Sequence, residues 1–244
     1  MDMNWGVFLE ESPTGDGPYW KLALDGAKWT VLVSLGGWAI ALLVGSLIGI
    51  LRTVPNKLLV WLGDAYVELF RNIPLLVQLF LWFFVLPEVL PEAVGRWLKQ
   101  DLPYPELTTA IIGLGLFTAA RVAVQVSAGI KSLPRGQAAA GLALGFTRTE
   151  VYLKILLPQA FRIIIPPLTS EFMSIFKNSS VALGIGLTEL VFQMRQMVEY
   201  SSVVIETIAV YTLIYIALAL IVNRFMAWLE RAVRIPGLIA GGGK

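Results

Sequence analysis

Ionisable residues are scarce in this chain, and those that interrupt its apolar stretches are where chemistry must be sought. Arg121 stands alone in LFTAARVAVQVSAGI, Glu171 and Lys177 break SEFMSIFKNSS, and Arg71 precedes Asn72 and Pro74 in FRNIPLLVQ. An ionisable group at bilayer depth costs about 2.5 kcal/mol or more, so it faces a cavity or a partner. Arg121 can grip a carboxylate with a two-point fork, which points to an anionic ligand; a structural ion pair with Glu68 or Glu171 is the competing use. Lys177 either touches substrate or a gate, or snorkels to the interface on its long stem. Arg71 marks either a helix break that lines a cavity or a plain kink, because irregular backbone at membrane depth must be satisfied by protein or water. The chain contains no His and no Cys, which removes the commonest general base, thiolate chemistry, disulfides and His-ligated metals. Neither a catalytic residue nor a metal site is expected.

These side chains need a scaffold, and composition says which solvent it sits in. Hydrophobic residues make up 57% and charged residues 15%, with a mean hydropathy of +0.72, whereas a soluble domain needs about a quarter of its residues charged. The net charge of +2 carries no basic excess for nucleic acid. Residues 29–51 hold no charge and as a helix measure roughly 34 Å, enough to cross the hydrocarbon core. Further crossings are expected over residues 58–87 as one long second span, 107–130, 163–187 and 207–223. Asp2, Glu10 and Glu11 precede any basic residue, the wrong charge for a cleavable signal peptide. Arg52, Lys57, Lys131, Arg135, Arg148, Lys154, Arg162, Arg224, Arg231 and Arg234 fall on one side, and an acidic tail and the acidic loop over 88–106 on the other. Because cytoplasmic loops retain Lys and Arg, the N-terminus is placed outside and the C-terminus inside, which five spans satisfy. The expected fold is an all-α integral membrane protein of about five transmembrane helices. Residues 1–28 form an outer tail, 29–230 the transmembrane domain and 231–244 a cytoplasmic tail. Trp20, Trp29, Trp61, Trp97 and Trp228 lie near span ends, as interfacial anchors do, and Gly45 and Gly49 form a GxxxG that favours close helix packing.

Between the third and fourth spans, residues 131–162 leave the membrane. Their core, GQAAAGLALGFTRTEVYLKILLPQ, is rich in Ala with Gly141 and Gly145, so a helix there presents a thin surface suited to docking. Gly145 is followed by nine residues and then Ile155, Leu157 and Pro158, a spacing that resembles the cytoplasmic E-A-A loop of binding-protein-dependent ABC importer permeases. Gly136 and Gln137 precede it as in the polar amino-acid subfamily. FRNIPLLVQLF over 70–80 resembles that subfamily's FRGTPLLVQ, and KNSS over 177–180 resembles its K-(D/N)-(S/T)-S.

This resemblance implies the type I ABC importer permease fold, a periplasmic N-terminus and residence in the bacterial inner membrane. It implies that the loop couples to an ATPase through Arg135, Gln137, Ala139, Ala140, Gly141, Gly145, Arg148, Glu150 and Pro158. The family's loop Glu falls on Ala139, so its charge contact is lost here and Arg135, Arg148 and Glu150 are its candidate replacements. Where the subfamily has Tyr, Glu and Arg in the third span, this chain has Arg121, Val124 and Ser127, an exchange that favours an anionic amino acid. The glutamate/aspartate permeases are the most similar subclass. No G-x-x-x-x-G-K-(S/T) phosphate loop is present, so ATP and Mg belong to a separate ATPase dimer, and this chain carries no cofactor. Five spans are few for a pore, so a second permease subunit, identical or related, and a periplasmic amino-acid-binding protein are the other expected partners. The alternatives are half of an ion-gradient-driven transporter or channel, which lacks the acid or His chain of a proton relay, and a membrane scaffold or intramembrane hydrolase, which lacks a nucleophile with its base.

Overall fold

A computed structural model describes residues 3–233; Arg234 and the C-terminal tail lie outside the described residues. All regular structure among them is helical. The long elements are α1 (Tyr19–Leu51), α2 (Lys57–Asn72), α3 (Leu75–Val89), α4 (Pro105–Lys131), α5 (Arg135–Ala143), α6 (Leu157–Asn178), α7 (Leu190–Ser201) and α8 (Val204–Val233). Among the described residues, four helical stretches are long and apolar enough to cross a membrane, and the pair α2 and α3 makes a fifth if it counts as one span.

The second span is not one helix. The chain breaks between α2 and α3 at Pro74, whose ψ of 139° is extended. Proline lacks the N–H that a continuing helix needs and pushes Ile73, the residue before it, out of the helical region. A second departure is at the fourth span, where helix begins at Arg148 and runs through a π-helical stretch, Val151–Leu156, straight into α6. Half of the interlude is therefore an extension of the crossing helix. Pro166 and Pro167 lie inside α6. Helix α7 has no counterpart among the expected elements, although Leu190, Gln193 and Met197 give it a buried stripe at helical spacing.

The chain divides into two compact units, each built from separate segments. The first takes the chain up to Ala39, Ile73–Gly115 and Ser174–Val222. Its N-terminal segment is no loose tail, because a short 3-10 helix, Trp5–Leu9, inserts Val7 among Tyr19, Leu22, Ala23, Leu190, Met197 and Tyr211. The Asn4 backbone N–H donates to Glu206 Oε1 at 2.7 Å. Glu189 is fully buried and caps α7, accepting from the N–H groups of Val191 and Phe192 and from the Tyr215 hydroxyl. Trp20 and Trp97 of this unit are exposed, as anchors must be, but Trp29 packs against Tyr104 with ring centroids 5.6 Å apart.

The second unit takes Ile40–Asn72, Leu116–Met173 and the chain from Asn223. Here α1 and α4 meet backbone to backbone through the GxxxG. A Cβ on Gly45 would lie 2.7 Å from the Ala119 carbonyl oxygen, and one on Gly49 would lie 2.6 Å from Val126 Cβ. Helix α2 is tied to α4 by the Tyr66 hydroxyl, which donates to the Leu116 carbonyl at 2.8 Å.

Candidate functional site

Within the second unit, α2, α4 and α6 form an open cavity of about 270 Å³ lined by Arg71, Phe117, Arg121, Val124, Gln125 and Glu171. Arg71 reaches it from the last turn of α2, just ahead of the break at Pro74. Arg121 and Glu171 project from α4 and α6. Successive turns of α4 place Phe117, Arg121, Val124 and Gln125 on one face at spacings of three and four, and the Arg121 guanidinium lies 5.2 Å from the centre of the Phe117 ring. Arg121 Nη1 and Glu171 Oε2 are 3.7 Å apart. That is ion-pair range but too long for a hydrogen bond, and Glu171 Oε2 is buried without a hydrogen-bond partner. Glu68, the other expected counter-ion, is exposed and lies outside the lining.

Charge is what this arrangement offers. The lining carries two guanidinium groups against one carboxylate, a net +1, and Arg121 keeps 43% of its side chain exposed while paired. Its hydrogen-bonding capacity is therefore only partly used. At about 270 Å³ the cavity falls near the roughly 300 Å³ lower limit of ligand sites, a size for a small solute. The first unit has a larger cavity, about 440 Å³, with Trp82, Phe83, Phe84 and Trp97 in its walls. Its lysine, Lys99, is bound to Glu88, so it has no free cation to offer an anion. The smaller cavity is the better match to charge chemistry.

Lys177 does not join this cavity. It ends α6, belongs to the first unit and is exposed. Gln125 and Phe117 were not legible as candidates. Neither is charged, and only their helical spacing from Arg121 could have suggested them.

The interlude has its own geometry. Helix α5 begins after Pro134 and carries Ala139 and Ala140 exposed. Gly141 faces inward, where a Cβ would sit 2.7 Å from Ile155 Cδ1, so its thinness is used inside the chain. Gln137 Oε1 is buried without a hydrogen-bond partner. Gly145 has a φ of +87° with nothing near its missing Cβ; it is there for a left-handed turn that stops α5. Thr147 and Glu150 then form a capping box. The Glu150 carboxylate accepts hydrogen bonds from Lys154 and from the Thr147 backbone and hydroxyl. Glu150 is thereby committed within the chain, while Arg148 and Pro158 are exposed. Beside them Leu142 and Leu144 expose 47% and 78% of their surface, an apolar face on a segment outside the crossing.

Several helices long and apolar enough to cross a membrane, with a cavity lined by charged side chains, are the features of a membrane transport component. The family model described as binding-protein-dependent transport system inner membrane component matches residues 41–235, and the chain belongs to that family. The chain is 46% identical over 244 residues, 99% of either chain, to the glutamate/aspartate import permease protein GltJ of Escherichia coli K12. It is 32% identical over 86% of its length, and 93% of the relative's, to the probable glutamine ABC transporter permease protein GlnM of Bacillus subtilis. Among solved structures, an amino acid ABC transporter crystallised with histidines is similar with a TM-score of 0.73 at 25% identity, covering 88% of this chain and 95% of the other.

Proposed function

We propose that this permease passes an acidic amino acid, glutamate or aspartate, through the cavity between Arg71, Arg121 and Glu171. The observation that carries the reading is the charge of that lining. An amino acid with two carboxylates and one ammonium bears a net −1, and two guanidinium groups with one carboxylate are its complement. The two-point fork of arginine suits carboxylates, and Glu171 suits the ammonium. The 46% identity to a glutamate/aspartate import permease supports the same substrate class.

On this reading the chain itself is not catalytic. An ABC ATPase dimer binds Mg and ATP and seats the interlude, whose exposed Leu142 and Leu144 supply the apolar contact. A second permease subunit completes the pore, and a periplasmic amino-acid-binding protein delivers the ligand. ATP-driven closure of the ATPases displaces the interlude and opens the cavity to alternate sides.

Arg121 provides the test. Arg121→Met keeps bulk and loses charge and fork, whereas Arg121→Lys keeps the charge and loses the fork. Hydrogen bonds to charged partners are worth about 1.5–3 kcal/mol, so glutamate uptake should fall roughly tenfold to a hundredfold in Met and leave a small fraction in Lys, with normal membrane abundance and ATPase co-purification. Wild-type uptake by assembled Arg121→Met complexes excludes the role. Lost abundance that recovers when Glu171→Gln is added returns Arg121 to a structural ion pair.

A further inference from the structure

The face of α4 that carries Arg121 and Val124 continues one turn later to Ser127, which is 4% exposed and donates its hydroxyl to the Val124 carbonyl at 3.1 Å. Ser127 is also gripped from outside its helix. Arg52, just past the end of α1, divides its guanidinium: Nε donates to Asp64 Oδ1 of α2 at 2.6 Å, and Nη1 donates to Ser127 Oγ at 3.2 Å. This is a built seat rather than a loose surface pair. The Arg52 side chain is 17% exposed, and its stem lies where a Cβ on Gly63 would come within 2.6 Å of Arg52 Cγ. One side chain thus clamps three helices.

The neighbouring residue connects this clamp to the interlude. Tyr152 donates its hydroxyl to the Thr53 carbonyl at 2.8 Å, with Thr53 Oγ1 3.3 Å away. Tyr152 sits in the π-helical stretch Val151–Leu156, a geometry that occurs in short pieces and is frequent at functional sites. Two hydrogen bonds joined by the Arg52–Thr53 peptide link therefore connect the docking segment to Ser127, six residues along α4 from Arg121.

We propose that Arg52 is a positioning residue that passes displacement of the interlude to the anion cavity. Tyr152 draws Thr53, Arg52 moves with it, and its fork resets Ser127 and the α4 face that presents Val124 and Arg121. The inference rests on the reading that the interlude seats on an ATPase, and its test separates the two.

The complete complex, with ATPase and binding protein, is reconstituted in liposomes, and glutamate imported per ATP hydrolysed is measured. Tyr152→Phe removes only a hydroxyl, Ser127→Ala removes the acceptor for Arg52 together with the donor to the Val124 carbonyl, and Arg52→Lys keeps a charge for Asp64 without the second arm. Each should lower imported substrate per ATP about threefold to tenfold, the scale of one hydrogen bond, with ATPase co-purification at the wild-type level. Because the contacts act in series, Tyr152→Phe with Ser127→Ala should do no more than the worse single variant. Wild-type ratios in the single variants, losses that multiply in the double variant, or losses explained by lower abundance overturn the inference and leave the docking reading intact. Failure of the wild-type chain to retain any ATPase overturns both.

Discussion

At Gly145 a single residue separates two uses of a small side chain. The spacing from Ile155 to Pro158 singles it out as a thin docking point, yet its φ of +87° and the empty space around it make it first a backbone requirement. A left-handed conformation costs an ordinary residue roughly 1–2 kcal/mol, and Asn tolerates it better. Gly145→Ala should therefore reduce co-purified ATPase and uptake, and Gly145→Asn should recover most of both. Equal loss from Ala and Asn would show that the absence of a side chain at the contact outweighs the turn. Arg121 was legible because a lone arginine in an apolar run has few reasons to exist. Its partner was not, since choosing Glu171 over Glu68 requires the register of α4 against α6, which no single stretch of sequence contains. Glu150 teaches the converse lesson: a free-looking acid in the interlude is already taken by Thr147 and Lys154.

Among elements, the GxxxG of α1 behaved as its spacing suggests. Gly45 and Gly49 both face α4, and the atoms nearest their missing Cβ positions include the carbonyl oxygens of Ala119 and Ala123 at 2.7 and 2.9 Å. Backbone oxygen cannot swing aside as a side chain can, so even Gly49→Ala overpacks the contact, at a cost of about 1–3 kcal/mol. A lowered thermal midpoint of the detergent-solubilised chain is the expected result, and an unchanged midpoint would mean that α1 shifts freely along α4. Spans α1, α4 and α8 were visible from long apolar runs alone. The division of the second span was harder to see because composition stays apolar on both sides of Pro74, and hydropathy averages over the one residue that matters. Helix α7 was hidden for another reason: its polar face, with Arg195 and Glu199, dilutes the apolar signal that marks a crossing.

For the whole molecule, the asymmetric distribution of Lys and Arg predicts which side each loop occupies. Thr14 and Thr149 are both exposed, and the chain has no native cysteine, so single cysteines at these positions report sidedness cleanly. An impermeant thiol reagent added to intact cells with a permeable outer envelope should modify Thr14→Cys and spare Thr149→Cys. Modification of both, or of Thr149→Cys alone, would reverse or break the assigned topology. The packing of Val7 and the bond from Asn4 to Glu206 have a consequence for how the chain is made. Synthesis runs from the N-terminus, but Leu190, Met197, Glu206 and Tyr211, which hold Asn4 and Val7 in place, are translated much later. The segment around Val7 thus cannot take its native seat until residues about 200 positions later have been made, 202 positions separating the two ends of a single hydrogen bond. Its burial reports that the chain has been made past Tyr211, and a nascent chain that stops before Leu190 has nothing to close it against.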